Sequence, residues 1–88
     1  MKKIVVLGAG ESGTGAAILA KAKGMEVFVS DMGEIAPMYQ ALLDQHHIAW
    51  EAGKHTPSLI LDADEVIKSP GIPLTAPLVK QLMEQGTP

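Results

Sequence analysis

The stretch "IVVLGAGESGTG", residues 4–15, sets the reading of the whole chain. Residues 4–7 are uninterrupted aliphatic and mostly β-branched, as expected of a parallel strand buried on both faces. Gly8, Gly10 and Gly13 follow at the spacing G-x-G-x-x-G, directly after that strand and at the opening of a helical pattern. In that context the first glycine permits a tight turn and the second lets a ligand approach the backbone. The third lets helix and strand pack closely. The first N–H groups of the helix, those of Glu11, Ser12 and Gly13, have no intrahelical acceptor and stand at the positive end of its dipole. Pyrophosphate is a good partner for such donors. The Glu11 carboxylate opposes that use unless its side chain turns away and backbone alone faces the ligand. A glycine-rich turn without any ligand is the plainer alternative.

Outward from this loop the chain alternates. The helical pattern runs from Ser12 or Gly13 to Lys23, with Gly24 as its stop. "EVFVSD", residues 26–31, is a second strand ending in an acid. In "MGEIAPMYQALLDQHHI", Pro37 suits a first helical turn, and Met38, Ala41, Leu42 and Gln45 share one helix face. A short third strand is expected at Ile48–Trp50, a helical turn from Pro57, and a fourth strand at 65–69, "EVIKS", closed by "PGIP". Thr75 is placed as the cap of a last helix with Ala76 and Pro77 in its first turn. Val79, Leu82 and Met83 lie at helical spacing there, and Gly86 ends it. Met38 and Met83 are assigned to helix core faces. The alternation defines an α/β domain: a Rossmann-like open parallel sheet, strand order 3-2-1-4, with helices on both faces. It breaks off at Thr87-Pro88, where a fifth strand is expected. Residues 1–88 therefore read as one domain of a larger, multi-domain protein.

Composition narrows the function classes. The chain has 88 residues, 47% hydrophobic and 19% charged, with a formal net charge of −3. Lys2 and Lys3 are its only adjacent basic pair, so nucleic acid is not an expected partner. No apolar run approaches the roughly 20 residues of a membrane span, so no membrane partner is expected either. The run after Lys3 is too short for a signal peptide and reads as a strand. With no cysteine, disulfides and thiolate metal sites are ruled out, and cytoplasmic residence is the expectation. His46 and His47 are adjacent on an expected helix, where their side chains diverge by about 100°. His55 falls in a loop, and all three are read as solvent-exposed with no metal site. Asp62, Asp64 and Glu65 are read as a solvated loop leading into the fourth strand, with a cation site as the weaker alternative.

Two further features bear on the ligand. Asp31 ends the second strand, where dinucleotide enzymes place an acid that accepts from ribose hydroxyls. A carboxylate there equally accepts from a nucleobase N–H, or simply caps the following loop. Ser69-Pro70-Gly71-Ile72 has the sequence of a type II turn, with proline second and glycine third. In the order 3-2-1-4 the loops after strands one and four flank the topological switch point, where ligands bind. The glycine loop and "SPGIP" would then face each other across one ligand. A merely proline-rich connection is the alternative.

"GAGESGTG", "VFVSD" and above all "ADEVIKSPGIP" resemble the N-terminal domain of the Mur ligases, nearest to the branch that adds D-glutamate to UDP-N-acetylmuramoyl-L-alanine. The resemblance runs from Lys3 to the end of the chain. It implies a domain that binds the UDP part of a muramoyl peptide substrate for an ATP-dependent amide ligase of peptidoglycan synthesis. It further implies a UDP site that includes Gly8 and Gly10, with diphosphate contacts from backbone groups of Glu11, Ser12 and Gly13 and uracil contacts from Asp31 and Met32. Ser69, Pro70 and Gly71 would close over the nucleotide. Glu11 stands where many relatives carry a neutral residue, and Met32 offers backbone only. No G-x-x-x-x-G-K-[ST] loop occurs, since "EAGKH" at 51–55 lacks the upstream glycine. The resemblance places ATP, magnesium and catalytic groups in central and C-terminal domains that act as partners, so this domain binds without catalysing. The competing expectations are an NAD(P)-binding domain of an oxidoreductase or redox-sensing regulator, and a receiver-like interaction domain without a small ligand.

Overall fold

The structure, a computed structural model, describes residues 1–69 and 77–87. Its elements are β1 (Lys3–Leu7), α1 (Glu11–Ala22), β2 (Glu26–Asp31), α2 (Pro37–Gln45), β3 (Ala49–Ala52), α3 (Pro57–Ile60), β4 (Glu65–Lys68) and α4 (Pro77–Glu84). The strands form one sheet in the order β3-β2-β1-β4, every neighbouring pair parallel. The expected order and layering hold. β3 starts and ends later than expected, because Ile48 turns into the core while pairing with β2 runs from Ala49 to Ala52. β4 stops one residue early, although the Ser69 N–H still donates to the Leu7 carbonyl at 2.9 Å. Thr75 and Ala76, the expected cap and first residue of the last helix, lie outside the described residues.

β1 feeds two cores. Ile4 and Val6 point into one layer with Ala17, Ala20, Val27, Val29, Ile35 and Leu43. Val5 and Leu7 point into the other with Ile60, Val79 and Leu82. That two-sided burial is why residues 4–7 are aliphatic without alternation. α1 covers the first layer with small residues, Thr14, Ala17 and Ala20, so its axis comes close to the sheet. The tightest point is Gly13, where an added Cβ would lie 1.9 Å from the Gly8 carbonyl oxygen. Only glycine fits there.

Two core assignments fail. Met38 is 64% and Met83 59% exposed. The packed stripe is Tyr39 and Leu43 of α2 with Ile35 just before it, and Met38 lies a quarter-turn away from that stripe. The expected face of Met38, Ala41, Leu42 and Gln45 is therefore the exposed one. On α4, Val79 and Leu82 make the contact and Met83 sits beside it. The histidine pair is also not wholly helical: His46 caps α2, and His47 turns left-handed at φ 57°. His47 thereby occupies the helix-ending position that glycine usually takes, and the Ile48 N–H returns to the Leu43 carbonyl at 2.9 Å.

The glycines of the loop predict opposite responses to alanine. Gly13→Ala forces backbone apart and is expected to cost about 1–3 kcal/mol or to prevent folding. Gly15→Ala adds a methyl where no atom stands within 4 Å, inside a helix, and is expected to stabilise by about 0.5–1 kcal/mol. Urea unfolding of the two variants beside the native chain checks both signs.

Candidate functional site

The carboxyl edge of the sheet is assembled around the end of β1. The Gly8 N–H donates to the Ser30 carbonyl of β2, and the Ser69 N–H to the Leu7 carbonyl, both at 2.9 Å. The glycine loop thus leaves the sheet between the end of β2 and the end of β4. Gly8 takes φ 102°, a conformation that side-chain-bearing residues rarely adopt. Gly10 is the N-cap of α1, makes no side-chain cap, and has no atom within 4 Å of where a Cβ would stand. Open space at Gly10 and contact at Gly13 match the separate tasks expected of the second and third glycines. Thr14 donates its N–H to the Gly10 carbonyl at 2.9 Å, the first bond of the helix. The N–H groups of Glu11, Ser12 and Gly13 precede it, and no protein acceptor meets them among the described residues.

Asp31 faces this loop. Its Oδ2 accepts from the Ala9 N–H at 2.8 Å, and its Oδ1 from the Gly33 N–H at 2.9 Å. The loop-capping alternative is therefore realised at Gly33, and a second bond ties the acid to the glycine loop. Met32 stands beside it, 66% exposed. Glu11 and Ser12 are exposed in the first turn of α1. Gly8, Gly10, Glu11, Ser12, Gly13, Asp31, Met32 and Ser69 all belong to one edge. Pro70 and Gly71, and with them the type II turn, lie outside the described residues. At the end of β4, the Lys68 ammonium donates to the Ser69 carbonyl at 3.1 Å.

A polar cluster not anticipated from sequence underlies the same edge on the opposite face. Ser30 is fully buried, and its Oγ stands 2.8 Å from Glu51 Oε2, 3.1 Å from the Lys54 carbonyl and 2.7 Å from His55 Nδ1. The hydroxyl has one proton and two neighbours that only accept, so His55 satisfies the group by donating from Nδ1. Glu51 also accepts from the Thr56 N–H at 2.8 Å and from the Thr56 hydroxyl at 2.6 Å. Burial pushes the Glu51 carboxyl up, but the bonds from Thr56 and Ser30 and the charge of Lys54 outweigh it. The group sits below its ordinary value of 4.5. His55 is thus half-buried and anchored, not solvent-exposed as expected. The serine inside "VFVSD", a fully buried polar residue following three apolar ones, was the available signal.

The acidic cluster lies at the amino edge, away from the glycine loop. Lys3 pairs with Asp62 at 2.6 Å and Lys2 with Glu65 at 3.1 Å, while the Lys3 N–H donates to Asp64 at 2.7 Å. Its carboxylates are partnered by the amino-terminal lysines rather than simply solvated. The Lys3 hydrogen bond holds the Asp62 carboxyl below its ordinary value.

This sheet order, with a glycine loop leading into a helix N-terminus at the switch point, defines a Rossmann-like open-sheet α/β domain. The chain belongs to the family described as "Mur ligase MurD-like, N-terminal domain", whose profile matches residues 2–88. It is 69% identical over all 88 residues to the UDP-N-acetylmuramoylalanine--D-glutamate ligase of Bacteroides thetaiotaomicron, and 67% identical to that of Bacteroides fragilis. It spans 20% of the length of each of these relatives. Among solved structures it superposes on UDP-N-acetylmuramate:L-alanyl-gamma-D-glutamyl-meso-diaminopimelate ligase from Neisseria meningitides. The TM-score is 0.81 at 23% identity, over all of this chain and 28% of that one. A murein peptide ligase from Psychrobacter arcticus gives 0.82 at 25% identity, over 98% of this chain and 18% of that one. These two likenesses establish the fold.

The Glu51 cluster makes stability depend on pH in a defined direction. A depressed carboxyl contributes stability that is complete above 4.5 and fades as pH falls through the lower folded-state value. The stability difference between the native chain and Glu51→Gln is therefore expected to be largest near neutrality and to shrink on acidification below that value. Denaturant titrations at a series of pH values check this. A difference constant across the series would assign the network no such role.

Proposed function

We propose that this chain binds the UDP portion of UDP-N-acetylmuramoyl-L-alanine for an ATP-dependent ligase that adds D-glutamate in peptidoglycan synthesis. The observation that carries the reading is the convergence of the glycine loop, Asp31 and Ser69 on one edge of the sheet. Family membership and the names of the relatives supply the ligand class. The N–H groups of Glu11, Ser12 and Gly13 are suited to a diphosphate, which would gain both hydrogen bonds and the helix dipole. Asp31 and the backbone of Met32 and Gly33 flank the place for the uracil. Ser69 borders the opposite side, with Pro70 and Gly71 following it in sequence. In this reading Glu11 weakens anion binding without blocking it, because its exposed side chain is screened by solvent.

The domain's part in the reaction is to bind and orient. In such a ligase ATP phosphorylates the carboxylate of the muramoyl peptide, releasing ADP. The amine of D-glutamate then attacks the acyl carbonyl and expels phosphate, forming the amide. Binding energy from the distant UDP group holds the reacting carboxylate in place, lowering the entropic part of the barrier. ATP and magnesium belong in this proposal to further domains, because the sequence holds no G-x-x-x-x-G-K-[ST] loop. Those domains are the protein partners, and the cytoplasm is the compartment that supplies ATP. An NAD(P)-binding role would use the same glycine loop but leaves the likeness to the ligases over the full chain without a reason.

Calorimetric titration of the chain with UDP-N-acetylmuramoyl-L-alanine, UDP and NAD tests the proposal. The two uridine nucleotides are expected to bind with similar enthalpy signs and NAD to give no saturable signal. A preference for NAD would overturn it.

A further inference from the structure

Ala9 is the buried residue of the glycine loop. It is 2% exposed and packs in the core layer beneath α1. A buried N–H needs a protein acceptor, and Asp31 Oδ2 supplies one at 2.8 Å. The Ala9 carbonyl is held as well, accepting from the buried Thr14 hydroxyl at 3.3 Å. Both ends of this residue are thereby pinned between Gly8 and Gly10, and the direction of the donors that follow is set by them. The other oxygen of Asp31 accepts from Gly33 and closes a turn around Met32. One carboxylate thus spans the diphosphate loop and the loop that flanks the base.

We propose that Asp31 is a positioning residue for the diphosphate: it holds the glycine loop in its binding shape through Ala9, whatever base the ligand carries. The inference rests on the functional reading above. Each oxygen of Asp31 keeps a further lone-pair site, so bridging two loops and accepting from a base are compatible uses. They differ in what the phosphates feel. A residue that serves the base alone is irrelevant to a ligand without one. By charge alone, moreover, Asp31 repels an anion bound nearby, so its removal would tighten diphosphate binding. Positioning makes the reverse prediction. Asparagine cannot substitute, since its amide offers one oxygen where two N–H donors must be met, and its NH₂ would oppose one of them.

Two measurements on the 88-residue chain decide the matter. In the native chain, scalar couplings through hydrogen bonds are recorded from the Ala9 and Gly33 amide nitrogens to the Asp31 carboxyl carbon. In native and Asp31→Asn chains, affinities are compared for UDP and for methylenediphosphonate, a diphosphate with no base. Both couplings are expected, and the variant should bind both ligands about tenfold more weakly, the effect of one lost charge-assisted hydrogen bond. Absent couplings would overturn the proposal, as would a variant that binds methylenediphosphonate as well as or better than the native chain. If Asp31→Asn fails to fold, the native couplings alone decide. If the native chain binds neither ligand, the functional reading fails, while the couplings still show whether Asp31 bridges the loops.

Discussion

The contact between Gly13 and the Gly8 carbonyl governs the rest of the structure. α1 can seat its first turn on the end of β1 only because no Cβ intervenes at a point where one would stand 1.9 Å from that oxygen. The approach brings Thr14, Ala17 and Ala20 down onto the sheet and points the helix's leading N–H groups across its carboxyl edge. Any side chain at this position would lift the helix, open the first core layer and turn those donors away. Packing and the placement of those donors therefore share one cause.

The edge itself is built from opposing tendencies. The chain carries net negative charge, and both Glu11 and Asp31 stand at the glycine loop. Under the proposed function, attraction for a diphosphate would come from backbone dipoles and from the end of β4, where Lys68 and Ser69 lie beside Leu7. Asp31 is held there by two backbone N–H groups, and Glu51 by Thr56 and Ser30 on the other face. These partly buried acids are tolerated because each is met by donors. The same donors tie the loops after β1, β2 and β3 into one surface. Such pre-ordering leaves less conformational entropy to be lost when a ligand arrives.

What could be read from sequence follows physical lines. β1, its loop and α1 were legible because uninterrupted aliphatics mean burial on two faces and the glycine spacing encodes a steric contact. The sheet order followed from alternation and the position of that loop. The packed face of α2 was not legible, and on α4 Val79 and Leu82 were read correctly but Met83 was not: methionine suits core and surface alike, and a short helix allows two overlapping apolar stripes. Ile35, outside α2, selects the stripe of Tyr39 and Leu43 over that of Met38. Beyond the polar Ser30 inside a buried strand, the Ser30–Glu51–His55 cluster depends on the register that sets Ser30 opposite Glu51, a long-range pairing that local sequence does not reveal. The bond from Ala9 to Asp31 joins residues 22 apart, again invisible to spacing rules. Of the candidate site, Pro70 and Gly71 rest on sequence alone.

The most direct test of the central claim is an amide-shift map of the ¹⁵N-labelled chain titrated with UDP. The account predicts that the responding amides are those of residues 9–13, 31–33 and 69, around the end of β1, with the amino edge near Lys2 and Glu65 unmoved. Saturable shifts confined to the amino edge, or to the apolar hollow between α1 and β4 near Leu19 and Ile67, would contradict it.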